Sequence, residues 1–230
     1  MLIVMEGLDG AGKSTQVAAL KKYLEQRTGS LEYIHFPRYD APVYGDLISR
    51  FLRGEFGGND VVHPQLVALL FAEDRHGAAP ELRRALEEGK TVLLDRYVYS
   101  NIAYQCAKLP EGPERERRRN WIFETEFGPF GLPRPDVNLF LDVPIGFVEQ
   151  RLAAQRKGHD RDYLGGASDI HEADINFQKT VCGIYRAEAA KDPSFLRVDC
   201  ADAQGRMLPP EVISSRVEAL VEHYLTHPAL

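Results

Sequence analysis

A glycine-rich segment near the start of this 230-residue chain carries its strongest sequence signal. The residues Gly7-Leu8-Asp9-Gly10-Ala11-Gly12-Lys13-Ser14-Thr15 match the pattern GxxxxGK[ST] and directly follow the apolar run Leu2–Met5. Glycines let such a loop turn several backbone N–H groups towards one anion, and the N-terminus of a following helix adds partial positive charge. Lys13 is expected to reach the β- and γ-phosphates, and the Ser14 hydroxyl to ligate Mg²⁺. This pattern is that of a P-loop, and the P-loop Gly7–Thr15 predicts binding of ATP or GTP.

Short apolar runs alternate with longer amphipathic stretches along the chain, which is typical of strand–helix units around a parallel sheet. The predicted strands are Leu2–Met5, Tyr33–Phe36, Thr91–Leu94, Asn138–Val143 and Phe195–Val198. The predicted helices are Lys13–Gln26, Tyr44–Leu52, Pro64–Arg75, Pro80–Glu87, Ser100–Ala107, Glu114–Glu126, Ile145–Arg156, His171–Ala190 and Pro210–Tyr224. We predict a three-layer α/β/α fold, in which a five-stranded parallel sheet has helices on both faces. Because no repeat or long linker divides the chain, we expect one domain over residues 1–230.

The composition argues against several other classes of protein. The net charge is −6, from 28 basic and 34 acidic residues, and broad nucleic-acid binding requires a basic face. No apolar run reaches the roughly 18 residues that a membrane helix needs, and the first residues lack a basic leader. Cys106, Cys182 and Cys200 form no CxxC pair, which disfavours a disulfide framework or a zinc site. We expect a cytoplasmic protein that binds neither nucleic acid nor membranes.

Two arginines follow predicted strands and suggest a second anion site. Arg38 lies in the segment Phe36–Tyr39 after the second strand, and Arg96 follows the third strand. Ligands of open α/β sheets bind outside the carboxyl ends of the strands, and a guanidinium can hold a phosphate bidentately. A P-loop protein that transfers a phosphoryl group needs such a second site, whereas a nucleotide-driven switch does not. The pattern therefore favours a small-molecule kinase.

Three segments after the P-loop carry a resemblance to a known family. They read FPRY at Phe36–Tyr39, LFAEDR at Leu70–Arg75 and DRYVYSNIAY at Asp95–Tyr104. In this order and spacing the chain resembles thymidylate kinases, especially bacterial members of the actinobacterial type, from the P-loop to about Tyr185. The resemblance implies a nucleoside monophosphate kinase-like P-loop fold with a lid. It also implies transfer of the ATP γ-phosphoryl group to dTMP, a requirement for Mg²⁺, and a homodimer.

The resemblance further implies roles for individual residues in the acceptor site. Phe71 would stack on thymine, Arg75 would donate to its carbonyl edge, and Tyr104 would lie under the deoxyribose. Without the resemblance, the aromatic residues would be read as core packing. The implied acceptor set comprises Asp9, Phe36, Arg38, Tyr39, Phe71, Arg75, Arg96, Asn101, Tyr104 and Gln105.

Other implied roles concern catalysis and the metal. Asp9 would contact the sugar 3′-hydroxyl or the metal shell, and Arg96 would bridge the acceptor phosphate and the transferred group. Asp95 lies where a Walker-B acid supports Mg²⁺. The implied metal set is Ser14, Asp9, Asp95 and Glu172, and the implied catalytic set is Lys13, Arg96, Asp9, Arg156 and Arg161.

The lid, at about residues 151–168, is expected to supply catalytic arginines. Gly10 stands where one group of thymidylate kinases has an arginine, so the chain resembles the group whose arginines lie in the lid. The candidates are Arg151, Arg156, Lys157 and Arg161, of which Arg156 and Arg161 are favoured. Asp169 and Glu172 would help to order the acceptor site or Mg²⁺. The alternative for these two acids is capping of the helix that follows.

Two alternatives to a dTMP kinase stay open. One is a kinase that phosphorylates another nucleotide or a nucleoside, and the other is a nucleotide-dependent switch without an acceptor.

The apolar segment Trp121-Ile122-Phe123 belongs either to the core or to a dimer contact.

Overall fold

The computed structural model describes residues 1–154 and 159–227, and the side chains of all of these except residues 159–161. Five parallel strands form one sheet: β1 (Leu2–Gly7), β2 (Leu31–His35), β3 (Thr91–Asp95), β4 (Val137–Asp142) and β5 (Phe195–Asp199). Their order is β2-β3-β1-β4-β5. Every residue of β1, β3 and β4 is buried, as expected for strands covered on both faces. The predicted five-stranded parallel sheet is confirmed.

Helices cover both faces of the sheet and make the three layers. The helices are α1 (Lys13–Thr28), α2 (Tyr44–Leu52), α3 (Pro64–Glu87), α4 (Val98–Cys106), α5 (Pro113–Phe127), α6 (Ile145–Ala153), α7 (Ile175–Ala189) and α8 (Pro210–Thr226), with a 3₁₀ helix at His159–Leu164. Helices α1 and α8 pack together on one face, whereas α3, α4, α5 and α7 pack on the other. Within residues 1–154 and 159–227, no helix is long and apolar enough to span a membrane.

Helix α3 differs from the prediction of two helices, Pro64–Arg75 and Pro80–Glu87. It is continuous and carries Pro80 inside it. A proline in a helix interior removes one hydrogen bond and normally favours a break. Here Ala78, Ala79 and Leu82 are fully buried on either side of Pro80, so packing against the core holds the helix together.

Helix α7 starts later than the predicted His171. It begins at Ile175, because the carboxylate of Asp174 accepts a hydrogen bond from the Asn176 N–H and caps the helix. The segment Asp169–Glu172 is therefore not the cap. Helix α6 ends at Ala153, where the Ala154 N–H closes the last turn, so the predicted range Ile145–Arg156 is too long. Arg156 itself lies outside the described residues.

The carboxyl ends of the central strands lie at one edge of the sheet. Asp95 pairs in register with Met5 of β1 and His35 of β2, and Gly7 pairs with Leu141 of β4. Strand β1 lies between β3 and β4. Strands β2 and β3 are on one side of it and β4 and β5 on the other, so the direction of the strand order changes at β1. Ligands of open α/β sheets bind at such a switch point. This edge carries the candidate site.

Candidate active site

The P-loop forms a cradle between β1 and α1. Gly10 and Gly12 have φ values of 75° and 80°, a left-handed conformation that side chains other than glycine disfavour. Gly12 precedes the first turn of α1 and has no side chain with which to cap it. The Lys13 ammonium donates to the carbonyl oxygens of Gly7 and Leu8, at 3.3 and 3.1 Å. The loop thus presents a helix N-terminus and a lysine to one anion.

A donor cleft of about 880 Å³ opens over this cradle. Residues outside the P-loop that line it include Lys21, Tyr33, His35, Asp95, Arg96, Arg151, Tyr163 and Glu172. A Cβ atom on Gly10 would lie 3.3 Å from the Cβ of Arg151, so the loop approaches α6 closely at this residue. Of the predicted lid cations, Arg151 lines the cleft. Arg156 and Lys157 lie outside the described residues, and so does the side chain of Arg161.

Asp9 and Arg96 join the P-loop to the segment after β3. Arg96 Nη2 lies 2.5 Å from Asp9 Oδ1, and the Tyr104 hydroxyl donates to Asp9 Oδ2 at 2.7 Å. A second nitrogen of Arg96 donates to the Ser100 hydroxyl at 3.1 Å. Burial alone would raise the pKa of Asp9, but the charges of Arg96 and Lys13 outweigh burial and lower it well below its ordinary value. Asp9 is therefore a carboxylate at neutral pH.

The backbone of Arg96 is held in an unusual conformation by a buried acid. Arg96 has a φ of 69°, which costs a non-glycine residue roughly 1–3 kcal/mol. Glu6 Oε1 accepts from the backbone N–H groups of Tyr97 and Ser100, at 2.9 and 3.1 Å. Glu6 Oε2 accepts from the hydroxyls of Ser100 and Tyr185, at 2.5 and 2.9 Å. Glu6 thus fixes the turn that points the Arg96 guanidinium at the P-loop.

A second, smaller pocket of about 70 Å³ adjoins the donor cleft. Asp9, Tyr39, Arg96 and Tyr163 line both spaces. From the predicted acceptor set, the residues lining the small pocket are Asp9, Phe36, Tyr39, Phe71, Arg75, Arg96, Asn101, Tyr104 and Gln105. The remaining member, Arg38, lies elsewhere. Its Nε donates to Asp74 Oδ1 at 3.0 Å and its backbone N–H to Asp74 Oδ2 at 2.9 Å, which ties the segment after β2 to α3.

One end of the small pocket carries a buried ion pair. Arg75 Nε and Nη2 donate to the two carboxylate oxygens of Glu126, at 2.6 and 2.8 Å, and both side chains are at most 3% exposed. The Asn101 amide nitrogen donates to Glu126 Oε1 at 2.8 Å and to the Ala68 carbonyl at 3.0 Å. Asn101 Oδ1 is buried and accepts from no described residue. The network therefore leaves the Asn101 Oδ1 atom as a hydrogen-bond acceptor at this end of the small pocket.

The sequence analysis gave no substrate-binding or positioning role to four residues of the site. They are Glu6, Tyr163, His171 and Gln178. The Tyr163 ring stacks on Tyr39 with 3.9 Å between centroids, and its hydroxyl donates to Asp169 at 2.7 Å. Gln178 Nε2 donates to Asp9 Oδ2 at 3.1 Å and to the His171 carbonyl at 2.9 Å. His171 itself lines the small pocket, and Glu6 accepts hydrogen bonds from Ser100, another residue of that pocket. A lone glutamine in a helix carries no sequence signal, but the acidic segment Asp169–Glu172 pointed to the neighbourhood of His171.

Burial shifts the ionisation of Asp169 and His171. The pKa of Asp169 rises to about 7, chiefly because the carboxyl is buried and secondly because of the charge of Asp9. The pKa of His171 falls to about 3, chiefly through burial and secondly through the charge of Lys108. His171 is therefore a neutral imidazole at physiological pH.

Possible metal ligands are spread along the donor cleft. In the part of the chain that the structure describes, no three His, Cys, Asp or Glu residues form a metal-binding group. Ser14, Asp9, Asp95 and Glu172 all line the cleft. Asp95 Oδ1 is buried and has no hydrogen-bond partner within residues 1–154 and 159–227. A carboxylate oxygen and a hydroxyl beside a phosphate cradle suit Mg²⁺, which takes few protein ligands and keeps several waters.

The fold and the site together define a P-loop kinase of the nucleoside monophosphate kinase type. The family model described as Thymidylate kinase matches residues 5–205. The thymidylate kinase of Mycobacterium tuberculosis is 36% identical over 192 residues, covering 83% of this chain and 86% of that protein. That of Thermomicrobium roseum is 32% identical over 222 residues, covering 95% and 93%. The solved thymidylate kinase structure from Candida albicans is 28% identical with a TM-score of 0.72, covering 98% and 92%.

The chain belongs to the thymidylate kinase family. Its function is the phosphorylation of dTMP to dTDP. The predicted family, fold and enzyme class are thereby confirmed.

Proposed function

We propose that ATP binds on the P-loop as the phosphate donor and that dTMP binds in the small pocket, with Asp9 and Arg96 at the boundary between them. The observation that carries this assignment is that Asp9 and Arg96 line both spaces. A residue that touches both sites can contact the acceptor phosphate and the transferred group together. Arg96 is suited to this because its guanidinium presents several donors in one plane.

The polar groups at the Arg75 end of the small pocket match the edge of thymine. Both amide hydrogens of Asn101 are engaged by Glu126 and Ala68, so its free oxygen can only accept. Thymine offers an N3–H donor, whereas cytosine has an acceptor at N3. Arg75 would donate to the neighbouring O4 carbonyl, where cytosine has an amino group. In cytosine, the N3 acceptor would face the Asn101 oxygen, and the amino group would face the Arg75 guanidinium. Each buried group left unpaired in this way costs about 1–3 kcal/mol.

Aromatic residues would position the rest of the nucleotide. Phe71 lines the pocket next to Arg75 on α3 and is proposed to stack on the base. Tyr104 donates to Asp9 and is proposed to pack against the deoxyribose, where it would crowd a 2′-hydroxyl. Phe36, Tyr39 and Gln105 complete the walls. That Arg38 holds the acceptor phosphate stays a prediction, and its pairing with Asp74 supports a second role in fixing the segment after β2.

Phosphoryl transfer would rest on cations placed around the moving group. Lys13 would contact the β- and γ-phosphates, and Arg96 would stabilise the transferred group as its negative charge spreads. Ser14, Asp95, Glu172 and Asp9 would hold Mg²⁺, directly or through water. When bound there, Mg²⁺ would supply positive charge that offsets the charge of the phosphates. The lowered pKa of Asp9 keeps this carboxylate ionised beside Lys13 and Arg96.

The lid would add a further cation. Arg151 lies in the donor cleft next to Gly10 and is our first candidate among the described residues. Arg156 and Arg161 stay predictions. Alanine variants at the three positions separate them, because the catalytic one should lower kcat by orders of magnitude with little change in the Kd for ATP. Near-normal turnover of all three variants would contradict a catalytic role for these arginines.

Three further predictions belong to the proposal: one domain over the whole chain, a homodimer and a cytoplasmic location. Within Trp121-Ile122-Phe123, Ile122 is fully buried and the two aromatic residues pack partly against the core, which favours the core for this segment. Light scattering of the purified protein tests the dimer.

The decisive experiment measures phosphorylation of a panel of acceptors with ATP and Mg²⁺. We expect the highest kcat/KM with dTMP and a value for dUMP about 10–200-fold lower, because one methyl group is missing. The kcat/KM for dCMP should be lower by a further order of magnitude or more. Preference for dCMP, UMP or thymidine would overturn the acceptor assignment. Hydrolysis of ATP at the same rate without any acceptor would instead favour a nucleotide-dependent switch.

A further inference from the structure

The small pocket contains a histidine to which none of the roles above gives a function. His171 lies in the segment between the 3₁₀ helix and α7 and is 5% exposed. Its Nε2 atom is buried and has no hydrogen-bond partner in the described part of the chain. Leaving a buried polar atom unpaired costs about 1–3 kcal/mol. An atom of this kind in the wall of a binding pocket is suited to a hydrogen bond with the ligand.

The position of the ring places it between the two ends of the proposed acceptor. The His171 centroid lies 5.1 Å from that of Tyr104, whose hydroxyl reaches Asp9. The His171 centroid also lies 5.7 Å from that of Phe51, and the Phe51 centroid lies 6.4 Å from that of Phe71. Asp9 lies at the boundary with the donor cleft, and Phe71 at the base end. His171 therefore lies beside the expected position of the sugar, the part of a nucleotide that connects the phosphate to the base.

The backbone around His171 is fixed rather than loosely placed. Its N–H donates to Asp169 Oδ1 at 2.7 Å, and its carbonyl accepts from Gln178 Nε2 at 2.9 Å. Gln178 also donates to Asp9 Oδ2, so one side chain links His171 to the P-loop acid. The ring itself packs against Phe51, Tyr104 and Phe177, so it can act with little loss of side-chain entropy on binding.

We propose that His171 is a substrate-binding residue whose Nε2–H donates to the 3′-hydroxyl oxygen of the acceptor deoxyribose, while that hydroxyl donates to Asp9. A hydroxyl group both donates and accepts, so one hydroxyl can satisfy the imidazole and the carboxylate together. This contact would select acceptors that carry a free 3′-hydroxyl. It rests on the proposed placement of dTMP in the small pocket.

The test compares two nucleotides that differ only at this position, dTMP and 3′-deoxythymidine 5′-monophosphate. Their Kd values are measured by calorimetry with the wild type and with His171→Phe, which keeps an aromatic ring but has no nitrogen. We expect H171F to weaken dTMP binding about tenfold, which corresponds to about 1.4 kcal/mol. The 3′-deoxy nucleotide should lose less than about threefold, because it lacks the hydroxyl. Equal losses for both nucleotides, or no loss for dTMP, would overturn the proposal.

A second pair of variants keeps the test valid if H171F does not fold, which its Tm reveals. His171→Gln places an amide near the position of Nε2, whereas His171→Asn is too short to reach it. The glutamine variant should retain dTMP affinity within a few-fold, and the asparagine variant should lose about tenfold for dTMP only. Equal affinity of these two variants for dTMP would contradict the proposal. A wild type that fails to phosphorylate dTMP would instead overturn the acceptor assignment itself.

Discussion

The Arg96 guanidinium lies 2.5 Å from the Asp9 carboxylate, and this ion pair joins the phosphate loop to the segment that follows β3. The side chains are 12% and 20% exposed, so solvent screens the pair only in part. Each of the two residues contacts both the donor cleft and the small pocket. A change at either residue should therefore affect catalysis more than folding.

Arg96→Ala is expected to lower kcat by roughly 10²–10³-fold, because in the proposed arrangement it removes a planar donor that stabilises the transferred phosphoryl group. Arg96→Lys should recover only part of this loss, since an ammonium lacks the guanidinium fork. Steady-state kinetics with dTMP and MgATP measure both effects. Arg117→Ala, at an exposed position of α5, is the matched control and should leave kcat unchanged. A kcat within threefold of the wild type for R96A would contradict the role of Arg96.

Glu6→Gln is expected to lower both stability and turnover. An amide has a single acceptor oxygen, whereas both oxygens of Glu6 accept hydrogen bonds. Its NH₂ group would either meet the backbone N–H donors of Tyr97 and Ser100 or force the hydroxyls of Ser100 and Tyr185 to turn and accept. The free energy of unfolding should fall by about 1–3 kcal/mol in urea denaturation. The kcat should fall as well, since the Arg96 turn loses its support. The control is Glu25→Gln on the exposed face of α1, and an E6Q variant as stable and active as this control would refute the prediction.

Glu126→Ala is expected to lower the free energy of unfolding by about 3–5 kcal/mol, because it leaves the buried guanidinium of Arg75 without its partner. Urea denaturation measures the change. Glu124→Ala is the matched control, since Glu124 is exposed on the same helix. A loss for E126A no larger than that for E124A would show that the ion pair contributes little to stability.

Lys108→Met is expected to stabilise the protein. Lys108 Nζ is buried over the Phe51 ring, at 4.8 Å from its centroid, and has no hydrogen-bond partner among the described residues. Burial lowers the pKa of Lys108 from 10.5 to about 7. At pH 6 the folded protein thus carries a charged buried amine, and replacing it should add roughly 1–3 kcal/mol to the free energy of unfolding.

The same variant should show a defined pH dependence. Between about pH 7 and 10.5 the unfolded chain binds more protons at Lys108 than the folded chain, so the wild type gains stability as the pH rises through this window. The advantage of K108M should therefore shrink between pH 6 and pH 9. Urea denaturation at both pH values measures it, with exposed Lys22→Met as the control. An equal advantage at both values would contradict the lowered pKa.

The sequence predicted the P-loop, the five strands and the two segments Phe36–Tyr39 and Asp95–Tyr104, which contribute to the small pocket. These features depend on short-range patterns: a glycine spacing, a buried strand that reads as a continuous apolar run, and a motif that follows a strand end. It did not predict that α3 runs through Pro80, because buried contacts from other elements outweigh the local cost of the proline.

How the polar groups of the site pair with one another depends on the tertiary structure. Arg38 and Arg96 look alike in the sequence, yet Arg38 pairs with Asp74 of α3, whereas Arg96 turns to Asp9. Gln178 and His171 carry no motif and reach the site because α7 and the segment before it fold back onto the P-loop. These pairings join residues far apart in the chain, and their geometry depends on how helices pack on the sheet. The sequence thus determined the kind of chemistry, and the packing of distant segments decided which side chains are available to perform it.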